Sequence, residues 1–79
     1  MVHMMTHHEL NVKGKLCPMP VIKSQNLAKR LPAGDTVTVI ATDPGALHDV
    51  PSWCRISKHE IIDTQEKNGE IHITFQIRG

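Results

Sequence analysis

The sequence predicts an α/β two-layer sandwich in the order β-α-β-α-β-β, a four-stranded mixed sheet with two helices packed on one face. Three observations point there. Segments that alternate polar with β-branched or apolar residues are interleaved with segments whose apolar residues recur every three or four positions, the periods of strand and helix. Asn68-Gly69 joins the last two strands as a hairpin, because both positions accept positive φ. The final strand sends Ile71, Ile73, Phe75 and Ile77 one way and His72, Thr74, Gln76 and Arg78 the other. With one apolar face, and a right-handed crossover for each β-α-β unit, both helices fall on the same side.

Taken in order, residues 1–8 lack periodicity and read as a flexible tail, leaving 9–79 as a single domain. Residues 9–12 alternate, with Leu10 and Val12 inward, and form a short strand ended by a turn at Gly14. Residues 20–31 carry Val21, Ser24, Ala28 and Leu31 at helical spacing, with Lys23, Lys29 and Arg30 on other faces. The breakers Pro32-Ala33-Gly34-Asp35 stop that helix. Residues 36–41 are β-branched and alternating, a second strand. Asp43 then reads as an N-cap with Pro44 at the first helical position. Leu47, Val50 and Cys54 follow as an inward stripe, which Pro51 is expected to kink or restart. Residues 61–66 make the third strand.

Hydrophobic residues are 39% of the 79 and glycine adds five more, close to the roughly 45–50% of a globular chain. Phe and Trp occur once each and Tyr never, so the core is expected to be aliphatic. That scarcity also opposes single-stranded nucleic-acid binding through stacked bases. Nine Lys and Arg against eight Asp and Glu leave +1, too even for a phosphate-tracking surface. No apolar run approaches the roughly 20 residues of a membrane span, and the N-terminus has no apolar signal region. A cytoplasmic location with both thiols reduced is the expectation, without direct nucleic-acid or membrane contact. The even total hides a segregation: between Leu10 and Gly34 stand Lys13, Lys15, Lys23, Lys29 and Arg30 with no acid among them.

Inside that block lies Leu16-Cys17-Pro18-Met19-Pro20. Two prolines at alternate positions cannot sit inside a helix, but they can begin one, where the amide donors lack internal acceptors. A cysteine just ahead of such a turn faces the positive end of the helix dipole, and nearby Lys13 and Lys15 would also lower a thiol pKa from its usual value of about 8.5. By position alone Cys17 is either an activated thiol or a small hydrophobe packed at a helix start.

The segment V-K-G-K-L-C-P-M-P-V-I-K (residues 12–23) resembles the signature of the TusA-like (SirA-like) sulfur-carrier family, marked by C-P-x-P at the start of the first helix. The P-A-G-D turn, the A-T-D-P-G-A segment, D-V-P-S-W-C and K-H-E resemble the same family, so the likeness runs from about Glu9 to the C-terminus. It departs from the common pattern at Asn11, where many members carry an acid, and at the apolar Met19, where many carry a polar residue. The resemblance implies that Cys17 is the catalytic residue of a sulfurtransferase, a single-turnover carrier that holds a persulfide sulfur and relays it. Pro18, Pro20, Lys13, Lys15 and Lys23 would support the site, and Met19, Lys29 and Arg30 would meet partners. Those partners would be a donor such as a rhodanese or cysteine desulfurase and an acceptor such as a DsrE-like protein, serving sulfur oxidation, tRNA thiolation or cofactor biosynthesis. The persulfide is covalent, so no cofactor and no metal are expected, and the chain is expected to be a monomer.

The competing reading is a non-enzymatic thiol- or metal-binding or regulatory docking module. Its support is the tail, where His3, His7 and His8 stand near Met1, Met4 and Met5, soft and borderline metal ligands. Cys54 lies on the apolar stripe and forms no C-x-x-C pair with Cys17, which reads as packing and not as a redox partner. His48 and His59 read as surface or capping residues, and Asp43 and Asp49 as helix-capping acids.

Overall fold

Six elements follow in the predicted order: β1 (His7–Val12), α1 (Met19–Ala28), β2 (Thr36–Ala41), α2 (Ala46–Ile56), β3 (Glu60–Lys67) and β4 (Glu70–Gln76). The computed structural model describes residues 5–78. The strands lie in the order β1-β2-β4-β3, with β1 parallel to β2 and β4 antiparallel to both β2 and β3. The sheet is therefore mixed. Helix α1 packs on β1 and β2, α2 packs on β3 and β4, and the two helices touch each other, as one covered face requires.

The strand alternation becomes burial. Val37, Val39 and Ala41 of β2 and Ile71, Ile73 and Phe75 of β4 point into the core, which Val12, Ala28, Ala46, Val50 and Cys54 complete. Ser24 belongs to the same inward stripe, and its hydroxyl donates to the Pro20 carbonyl at 2.7 Å, so a polar group is buried with its hydrogen bond made. Asn68 and Gly69 take φ of 51° and 80°, the paired left-handed conformations of a two-residue hairpin turn.

The core is not wholly aliphatic. Phe75 is fully buried and meets Trp53 edge-on, with ring centroids 5.4 Å apart and planes at 88°. His59 stacks on Phe75 at 5.9 Å and its Nδ1 accepts the Arg78 amide hydrogen at 3.0 Å, so it belongs to this aromatic cluster and not to the surface. Its partial burial disfavours the charged ring and lowers its pKa. Cys54 is fully buried, and the loss of water pushes its thiol up to about 12.

Element ends shift for local reasons. β1 begins at His7, two residues into the segment expected to be tail, because His7 and His8 continue the ladder opposite Thr36 and Val37. His8 Nε2 also lies 2.9 Å from the buried Asp35 carboxylate, and His7 reaches the hydroxyls of Thr36 and Thr38. Met1, His3 and Met4 of the expected tail lie outside the described residues. Helix α1 stops at Ala28, ahead of the expected Leu31, since Arg30 and Leu31 donate three residues back, to Leu27 and Ala28, and tighten the last turn before Pro32. Helix α2 runs through Pro51 with no restart. Proline there costs one amide donor, while Val50 and Cys54 on either side hold the inward face.

Candidate functional site

Because β1 and β2 are parallel neighbours, the loops that leave their C-terminal ends run side by side at one edge of the sheet. The β1–α1 loop carries Lys13 to Pro18 and the β2–α2 loop carries Thr42 to Gly45. Two hydrogen bonds tie them: the Gly14 amide donates to Thr42 Oγ1 at 2.9 Å, and the Cys17 amide donates to Asp43 Oδ2 at 2.7 Å. The other oxygen of Asp43 accepts from the Gly45 amide at 3.2 Å. Asp43 thus braces its own loop and holds the Cys17 backbone across the gap.

The two prolines act as expected at the helix start. Pro18 is the N-cap and Pro20 lies in the first turn of α1, so neither interrupts a hydrogen bond. The Cys17–Pro18 peptide is cis. Cys17 stands just outside the helix and is exposed, while Pro20 is buried beneath it as an anchor.

The sulfur faces α2. Cys17 Sγ donates to Asp49 Oδ2 across 2.6 Å, and Asp49 sits in the first turn of α2. This reverses the expected electrostatics. The thiol pKa is raised, foremost by the hydrogen bond to Asp49, which favours the protonated sulfur, then by loss of water, then by the negative charges of Asp49 and Asp43. The expected lysine contribution goes elsewhere in part: Lys13 Nζ lies 3.3 Å from Glu70 Oε2, and Glu70 is held below the usual carboxylate range by hydrogen bonds from His72 and Lys13. Lys15 and Lys23 are exposed, as are Lys29 and Arg30 at the far end of α1, and Met19 is half-buried. The structure therefore brings Cys17, Pro18 and Pro20 together and spreads the basic residues along the loop and helix.

Asp43 and Asp49 are the residues that sequence reading took for helix caps. Asp43 lies two residues ahead of Gly45, the N-cap of α2: its carbonyl accepts the Ala46 amide hydrogen at 3.0 Å, and the N-cap position itself is taken by Gly45. Its carboxylate is thereby available to Cys17. The readable signal was the parallel β1–β2 pairing, which sets the loop holding Asp43 beside the one holding Cys17.

From Cys17 a groove of about 490 Å³ runs between the two helices, walled by Val21, Trp53 and Ile56 and headed by Asp49 and His48. Ile56 in the groove wall is 80% exposed, and Leu16, next to Cys17 in the chain, is 73% exposed. A second cavity at the opposite end of the helix pair shares Gln25 and Trp53 with the groove and is flanked by Lys29 and Arg78. Among the described residues no group of three or more His, Cys, Asp and Glu is arranged to hold a metal ion.

The family described as Sulfurtransferase TusA matches residues 8–77. A sulfur carrier protein TusA of Allochromatium vinosum is 30% identical over 68 residues, which are 86% of this chain and 90% of the relative. The sulfur carrier protein TusA of Pseudomonas fluorescens is 40% identical over 60 residues, 76% of this chain and 72% of its own. Among solved structures, the SirA-like protein of Desulfitobacterium hafniense has the same fold, with a TM-score of 0.81 at 24% identity over 91% of this chain and 99% of its own. With the family match spanning nearly every described residue, this chain belongs to the TusA sulfurtransferase family.

Proposed function

We propose that this protein is a sulfur carrier in which Cys17 takes a sulfane sulfur from a donor protein as a persulfide and passes it to an acceptor thiol. The observation that carries this reading is the exposed Cys17 sulfur at the open head of the inter-helix groove, its backbone fixed by Asp43. A carrier must be reached by two proteins in turn, so its sulfur has to be presented and held still. Exposure supplies the first requirement and the Asp43 bridge the second.

The surroundings suit brief encounters. Leu16, next to Cys17 in the chain, and Ile56, in the groove wall, are exposed apolar side chains, while Lys23, Lys29 and Arg30 give a polar, cationic flank along α1. Apolar contact at the centre with charge at the rim is the usual make-up of a specific protein interface, and the cations favour an acidic partner. Lys15 and Lys23 flank Cys17 on this reading, with Met19 at the partner's edge. Donors of the rhodanese or cysteine desulfurase type and acceptors of the DsrE type fit the chemistry, in the cytoplasm and with this chain acting as a monomer. Each loading is a single turnover, with no cofactor besides the bound sulfur.

Mass spectrometry checks it. After incubation with a persulfide donor and removal of excess reagent, the protein is expected to gain one sulfur atom, about 32 Da, on the peptide that contains Cys17, and to lose it on reduction. A gain of metal in place of sulfur, or sulfur on Cys54 alone, defeats the assignment.

A further inference from the structure

The Asp49 carboxylate is in contact with the reacting atom: its Oδ2 lies 2.6 Å from Cys17 Sγ. A persulfide transfer needs the attacking sulfur as a thiolate, and this thiol stands beside two carboxylates. The groups facing the sulfur can be named element by element. Asp43 approaches from the β2–α2 loop and Asp49 and His48 from α2, while on the sulfur's own loop Lys15 is exposed and Lys13 is engaged by Glu70. Of these, Asp49 alone accepts a hydrogen bond from the thiol. Asp43 is spent on two backbone amides, those of Cys17 and Gly45, with one oxygen each.

We infer that Asp49 is a catalytic residue of sulfur transfer, taking the Cys17 proton as the sulfur attacks, and that Asp43 is a positioning residue that holds Cys17 against it. The inference rests on the carrier reading. In loading, the proton on Cys17 moves to Asp49 while the Cys17 electron pair forms a bond to the terminal sulfur of the donor persulfide. The donor S–S bond breaks, its electron pair leaves with the donor thiolate, and Asp49 returns the proton to that thiolate. Cys17–SH and R–S–SH become Cys17–S–SH and R–SH, with no net oxidation and no further reactant. Unloading runs in reverse: Asp49 takes the proton of the acceptor thiol as that sulfur attacks the terminal sulfur, and returns it to the departing Cys17 sulfur as the Cys17 S–S bond breaks.

The same carboxylates have a second consequence for the loaded state. A persulfide anion beside Asp43 and Asp49 is disfavoured by the same negative charges that act on the thiolate, which shifts the terminal sulfur toward its protonated form. A protonated terminal sulfur is the electrophile the acceptor needs, whereas an anionic one repels an incoming thiolate. The acidic flank thus biases the cargo toward its transferable form.

Asp49→Asn separates this from a passive charge, since its two readouts are predicted to move in opposite directions. Without the negative acceptor the Cys17 thiol becomes more acidic, so the pH midpoint of its alkylation by iodoacetamide shifts down. Sulfur uptake from glutathione persulfide at neutral pH nevertheless slows, by roughly a hundredfold, the lower end of the range for a lost acid–base group. Asp49→Glu restores part of the rate. Both variants are checked by circular dichroism for the native fold. Uptake by Asp49→Asn that is unchanged, or that rises with the thiolate fraction, overturns the inference and leaves the carrier reading standing. A wild type that takes up no sulfur overturns the carrier reading and this inference with it.

Discussion

Cys17→Ser is expected to take up no sulfur from any persulfide donor while melting close to the wild type. A hydroxyl cannot form a persulfide, so the loss is complete. The fold should tolerate the change for reasons visible at the site. Cys17 is exposed, its backbone is held through its amide by Asp43, and a serine hydroxyl can still donate to Asp49. Exposed substitutions of this kind usually change stability by no more than about 0.5 kcal/mol. Cys54 offers no rescue, since it is fully buried with its thiol pushed up to about 12 and has almost no thiolate at neutral pH. Mass spectrometry before and after exposure to donor, with a thermal melt alongside, reads both halves. Undiminished loading in this variant would remove Cys17 from the mechanism.

Phe75→Ala is expected to bring the largest loss of stability of any single truncation. Phe75 is fully buried near the C-terminal end of β4, and its ring meets Trp53 edge-on and His59 face-on. Removing a buried aromatic side chain costs about 3–5 kcal/mol. A chain of this length has only about 4–12 kcal/mol to lose at roughly 0.05–0.15 kcal/mol per residue. The substitution therefore takes a large share of the total, and the variant should unfold at a much lower urea midpoint. Trp53 is the sole tryptophan, so its fluorescence follows the transition from inside the affected cluster. A loss below about 1 kcal/mol would show that the cluster rests on the helices and not on Phe75.

The architecture was legible because its signals are local. Thr36–Ala41 alternates β-branched residues and became β2 at the expected ends, Asn68-Gly69 required a hairpin, and the four inward residues from Ile71 onward demanded a single covered face. What escaped the sequence depended on neighbours distant along the chain. His7 and His8 have no strand pattern of their own, and pairing with Thr36 and Val37 draws them into β1. His59 looks like a polar surface residue until Phe75 and Trp53 are set beside it.

The site divides in the same way. Cys17 and its prolines announce themselves within five residues, but the charge that governs the sulfur comes from more than two dozen positions away. A basic stretch around a cysteine suggested a lowered thiol pKa, and the fold answered with Asp43 and Asp49 on the adjoining loop and helix. Local charge density is a poor guide to the field at an atom once two loops are brought side by side. On the carrier reading the basic residues of α1 then face partners, while the acids face the sulfur.

The most direct measurement of the central claim follows one sulfur atom through both transfers. Protein loaded with radiolabelled sulfane sulfur is freed of donor and mixed with an excess of acceptor thiol protein. The carrier account predicts that the label sits on the Cys17 peptide before mixing, appears on the acceptor afterwards, and leaves Cys17 as an unmodified thiol ready for another loading. Label that stays on this chain, resides on Cys54, or is released to solvent without reaching the acceptor would contradict it.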